Sequence, residues 1–152
     1  MSTTGLLSLR WKPRSECFPG ARMRSLKIPA TDRSPEVDFD FGSHRLRLSG
    51  ESYPEDVAAF YGPVFEAVDQ YLHQLGNGAC VFEFNLIYFN SSSAKAIMSL
   101  LKRLDRVAGG GASVSVIWYY DEEDDTMRDL GEEFGEDLEH VQFRVEKQAT
   151  ER

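Results

Sequence analysis

Cysteine is scarce. Cys17 and Cys80 are the only two in 152 residues, and they form neither a CxxC pair nor a disulfide framework. A reduced, cytoplasmic protein is expected. No apolar run approaches the ~20 residues of a membrane-crossing helix, so no membrane span is expected. The first residues lack the continuous apolar stretch of a secretory signal. Histidine is scarce too, and no two of His44, His73 and His140 stand at i, i+4, so no metal site is called. No Gly-x-Ser-x-Gly elbow precedes a helix pattern. The glycine run Gly109-Gly110-Gly111 follows a helix pattern rather than a strand, so it reads as a cap and turn, not a phosphate loop. No catalytic residue and no cofactor are called.

Basic residues are outnumbered, 17 against 25 acidic, and unevenly placed. Residues 1–29 hold six basic residues and one acidic; residues 30–152 hold eleven and 24. The acidic bulk would repel nucleic-acid phosphates, so no nucleic-acid partner is expected. Residues 1–23 show no periodicity and are interrupted by Pro13, Pro19 and Gly20. They read as a disordered tail or an over-extended start, with Met23 as a candidate true start and a loose likeness to a transit peptide. Residues 24–148 read as one domain and 149–152 as a second tail. A chain of this length buries enough surface to fold without staples.

Period-2 patterning begins at Glu36-Val37-Asp38-Phe39-Asp40-Phe41 and resumes at His44-Arg45-Leu46-Arg47-Leu48. The two runs predict a hairpin with a two-residue Gly42-Ser43 loop. Ser52, with Glu55 three residues on and Pro54 in the first turn, predicts a helix start. The stripe Val57, Phe60, Tyr61, Val64, Phe65, Val68, Leu72 continues that helix, and Pro63 predicts a kink or split within it. A strand from Cys80 to Phe89 should place Phe82, Phe84, Leu86 and Tyr88 on one face. A helix follows through Ala94, Ile97, Met98, Leu101 and Leu104, then a strand through Val114, Val116, Trp118 and Tyr120. A third helix opens within Asp121–Asp125, with Met127, Leu130 and Phe134 inward. The last strand carries Val141, Phe143 and Val145. Every strand is half polar, so the α/β fold should be a mixed sheet with helices on one face and the other face in solvent.

Two short segments invite a function. The run Asp121-Glu122-Glu123-Asp124-Asp125 suits the positive end of a helix dipole, and it could also meet a basic partner or a metal, although it lacks the pattern of a calcium loop. Asn90-Ser91-Ser92-Ser93 lies where a strand gives way to a helix. Serine and asparagine cap helices, but one cap is enough. A phosphoryl group there would meet free N–H groups and the helix dipole, and would add about −1.5 to −2 charges to a small surface. Capping and a phosphoswitch both fit the residues.

Five segments together resemble one family: Thr31-Asp32-Arg33-Ser34-Pro35-Glu36-Val37-Asp38-Phe39; Gly50-Glu51-Ser52-Tyr53-Pro54-Glu55; Tyr88-Phe89-Asn90-Ser91-Ser92-Ser93-Ala94-Lys95; Trp118-Tyr119-Tyr120-Asp121 with Asp124-Asp125; and Gly131-Glu132-Glu133-Phe134. The chain is similar, over about residues 26–146, to SiaC-type regulatory phosphoproteins. It departs at Asp56, where the family pattern has asparagine. The resemblance implies a fold like that of STAS-type anti-sigma factor antagonists and a non-enzymatic role. It implies that Ser91 accepts a phosphoryl group, with Ser92 as backup, and that Asn90, Ser91, Ser92, Ser93 and Lys95 meet the partner. It also implies three partners: a protein kinase and a PP2C-like phosphatase acting on Ser91, and a diguanylate cyclase activated by the unphosphorylated form, with cyclic-di-GMP and biofilm formation as output. The alternatives are an anti-sigma factor antagonist in a partner-switching pathway and a small acidic metal- or ligand-binding domain.

Overall fold

The structure, a computed structural model, describes residues 24–148, and both expected tails lie outside them. Six strands form one sheet in chain order: β1 Ser25–Ile28, β2 Glu36–Asp40, β3 Arg45–Ser52, β4 Ala79–Phe89, β5 Ser113–Asp121 and β6 Gln142–Gln148. Three helices join the later strands: α1 Val57–Leu75, α2 Ser91–Gly109 and α3 Asp125–Glu136. β1, β2 and β3 pair antiparallel; β3 through β6 pair parallel, as helical crossovers require.

One face of the sheet carries the core. Phe39, Leu46, Leu48, Phe82, Phe84, Val116 and Trp118 are buried against Tyr61, Val64 and Val68 of α1 and Ile97, Leu100, Leu101 and Leu104 of α2. The opposite face is a lattice of charge. Lys27 meets Asp38, and Arg45 and Arg47 both reach Glu83. The one-sided sheet expected from half-polar strands is therefore present. Glu83 is nonetheless buried on that polar face, because the two guanidiniums and the neighbouring strands cover it.

Several local expectations are corrected. β1 precedes the hairpin; its four residues are too few to show a period. The hairpin loop is four residues, Phe41–His44, not two. Asp40 accepts the Ser43 N–H, and His44 takes a left-handed φ of 62° to close the turn. Ser52 does not start α1. It ends β3, and Asp56 caps the helix by accepting the Ala59 N–H at 3.0 Å. The family's asparagine and this aspartate are both good N-caps, so that departure keeps the local physics. Pro63 does not split α1, which runs unbroken through it. Pro63 is exposed, so the carbonyl that loses its donor can turn to water. β5 runs on through Asp121, and α3 starts only at Asp125, capped by Asp124.

Candidate functional site

Ser91, Ser92 and Ser93 form the first turn of α2, beyond the carboxyl end of β4. The sequence forces this arrangement. Apolar β4 must end where Asn90 and three serines offer side-chain acceptors, and Asn90 Oδ1 accepts the Ser93 N–H at 2.9 Å. Ala94 N–H then bonds the Asn90 carbonyl at 2.9 Å, closing the first helical turn. The first N–H groups of a helix have no acceptor within it, so an anion on this turn would be welcome.

The three serines are not equivalent. Ser91 and Ser92 are exposed, whereas Ser93 is fully buried. Ser93 Oγ accepts from Ser52 Oγ at 2.8 Å, and Ser52 Oγ lies 2.7 Å from the Tyr61 hydroxyl. Since the Ser52 proton goes to Ser93, Tyr61 donates to Ser52. Burial pushes the Tyr61 phenol up to about 12, although the neighbouring Ser52 and Ser93 hydroxyls act in the opposite direction. The hydroxyl therefore stays a neutral donor. Asn90 N–H also bonds the Ser52 carbonyl at 3.2 Å. The helix start is thus tied to β3 and α1 through Ser52. Of the five residues expected to meet a partner, Asn90 is half-buried at the cap, Ser91, Ser92 and Lys95 face solvent, and Ser93 points inward as a support.

The end of β4, just before Ser91 in the chain, contains residues the sequence pattern misplaced. In the β3–β4 pairing Gly50 faces Leu86, but Glu51 faces Tyr88, so Ile87 is left over as a bulge. The bulge shifts the alternation by one. Phe89, not Tyr88, turns to the core, where its ring meets Trp118 and Phe134. Ile87 and Tyr88 are left 63% and 51% exposed, the large hydrophobics standing most in solvent among the described residues. Tyr53 packs edge-on to Tyr88, with ring centroids 5.8 Å apart, and holds it in place. Gly50, inside a strand pattern and with φ of 109°, was the signal that could have announced the bulge.

The acidic run is dispersed into local work. Asp121 accepts the Glu123 N–H, Asp124 accepts the Met127 N–H, Asp125 pairs with Arg128, and Glu122 pairs with Lys147. Among the described residues no group of three or more histidine, cysteine or acidic side chains is placed to hold a metal.

An exposed serine turn at the bulged, aromatic carboxyl end of β4 defines the site, and the chain as a whole matches known proteins. The profile of the SiaC family regulatory phosphoproteins matches residues 28–148. The chain belongs to the SiaC family. A relative from Pseudomonas aeruginosa (strain UCBPP-PA14) is 36% identical over 115 residues, 76% of this chain and 90% of the relative. SiaC of Pseudomonas aeruginosa has a similar structure, with a TM-score of 0.76 and 34% identity over 83% of this chain and all of that one. SiaC crystallised with the diguanylate cyclase SiaD, which it activates, gives a TM-score of 0.77 at 34% identity over 81% of this chain and 99% of SiaC. SiaC-family membership makes this a regulatory protein with a mixed α/β fold, as the resemblance implied. No helix among the described residues is long and apolar enough to cross a membrane.

Proposed function

We propose that this chain is a non-enzymatic phosphoswitch of the cytoplasm. Ser91 is the phosphoacceptor, and the unphosphorylated form activates a diguanylate cyclase. The observation that carries this reading is the placement of an exposed Ser91 at the first position of α2, three residues after the exposed Tyr88 that ends the Ile87–Tyr88 pair. Exposed aromatic anchors are the usual centres of protein interfaces. A phosphoryl dianion so close in the chain to such a patch would meet a surface that must be desolvated on binding, at a cost of several kcal/mol. The choice of cyclase as effector rests on family membership and on the activation of SiaD by SiaC. A protein kinase would add the group to Ser91 and a PP2C-like phosphatase would remove it. Ser92, also exposed, is the neighbouring alternative acceptor, whereas the burial of Ser93 takes it out of contention.

The switch works by exclusion. Asn90 keeps α2 capped, so the turn that presents Ser91 is rigid before any partner arrives. Lys95, one turn further along α2, would offset part of the added charge. In a titration against the cyclase, Ser91→Ala should bind and activate like the wild type, and Ser91→Asp should bind at least tenfold more weakly, about 1.4 kcal/mol. Peptide mass spectrometry of the native protein should place the phosphoryl group on Ser91. Equal affinity of the Ala and Asp variants would sink the switch at this position.

A further inference from the structure

A second surface on α2 is not accounted for by the serine turn. Lys95, Lys102 and Arg106 are exposed and line one groove of about 520 Å³ along α2, which Met98 and, from α1, Asp69 also line. Among the described residues they have no ion pair and no side-chain hydrogen bond. The fourth cation of the groove, Arg103, is satisfied: it donates to Asp69 at 2.9 Å and lies over the Phe65 ring, 4.3 Å from its centroid. Three unpaired cations on one helix stand out in a chain with a net charge of −8. The neighbouring α3 carries the opposite sign, with Asp125, Asp129, Glu132, Glu133 and Glu136.

The groove does not suit a small anion. Its cations sit on long, solvated side chains, and no buried polar group is aimed into it. Nucleic acid would run from the groove onto acidic surface. The spacing suits a helix. Lys95, Lys102 and Arg106 fall at i, i+7 and i+11, along roughly 16 Å of α2, and a second helix laid in the groove would present carboxylates at the same repeat. The groove is also continuous with the switch site, since Lys95 belongs to both.

We infer that the groove along α2 receives an acidic helix of the cyclase, as a second, electrostatic leg of the contact centred on Ser91. This inference rests on the cyclase reading above. Exposed charges of this kind act chiefly on encounter: they steer an oppositely charged partner and lose their effect in salt.

The test uses the full chain and a purified, full-length diguanylate cyclase from the same organism that the wild-type chain binds and activates. Lys102→Glu/Arg106→Glu should slow association about tenfold, with a smaller change in dissociation, and should flatten the salt dependence. Arg106→Glu alone should slow association more than Arg144→Glu, which makes the same change in net charge on the opposite sheet face. All these residues are exposed, and thermal melting checks that the variants remain folded. A double variant with wild-type association and salt dependence overturns the groove and leaves the switch standing. An equal effect of Arg106→Glu and Arg144→Glu reduces the groove to net charge and also overturns it. If no cyclase of the organism binds the wild-type chain, the cyclase reading fails and the groove's occupant with it.

Discussion

At the residue scale the proposed switch depends on Ser93, a serine buried out of solvent. Ser93 lies behind Ser91 in the same turn, and its hydroxyl is the end of a buried chain through Ser52 to Tyr61. Each member satisfies the next, and breaking one member leaves a polar group stranded. Ser52→Ala should therefore destabilise the fold by about 1–3 kcal/mol, the usual cost of an unsatisfied buried hydroxyl. Ser91→Ala, at an exposed position, should change stability by about 0.5 kcal/mol or less. Urea unfolding of the two variants separates support from acceptor; equal losses would mean that Ser91 also holds the helix start. The start of α2 was legible in the sequence, since a strand ending in Asn-Ser-Ser-Ser states its own cap. The sequence could not say which serine faces inward, because that depends on Tyr61 and Ser52, which arrive from other elements.

At the element scale the decisive feature is α3 pressed onto aromatic rings. Gly131 and Gly135 stand four residues apart on its inner face. A Cβ at Gly131 would come within 2.4 Å of Trp118 Cδ1, and one at Gly135 within 2.7 Å of Phe143 Cδ1. Trp118 cannot easily yield, because its indole N–H donates to the Met127 carbonyl at 3.1 Å and its ring is stacked on Phe84. Gly131→Ala should raise helix propensity by ~1 kcal/mol yet cost about 1–3 kcal/mol in overpacking, so the net effect is destabilising. Thermal unfolding that shows a stabilised variant would mean that α3 can lift off its seat. The periods of β2–β6 and of all three helices were readable, because each buries one face and the alternation records it. Beyond the local turn and cap details, what failed were points where one element corrects another. The β4 bulge is imposed by pairing with Gly50, and the start of α1 is set by Ser52 being held in the core.

At the scale of the whole molecule, one carboxylate closes the parallel half of the sheet. Asp105, near the end of α2, accepts N–H groups from Glu139, His140 and Val141, where the chain leaves α3 and turns into β6. Burial opposes its ionisation, but the three backbone donors and nearby His140 outweigh it, and the carboxyl titrates below its ordinary value. A lowered folded pKa means that the unfolded chain takes up the proton first. The contribution to stability is therefore complete above the ordinary carboxylate range and is lost as pH falls through the folded value. Asp105→Asn keeps an amide oxygen but removes the charge and one acceptor. The variant should be less stable than the wild type near neutral pH, and the gap should close below the carboxylate range. Stability curves for both proteins from neutral pH down to about pH 2 check this. A gap that stays constant across that range would assign the loop's hold to packing, with His140 against Gly109, rather than to the charge on Asp105.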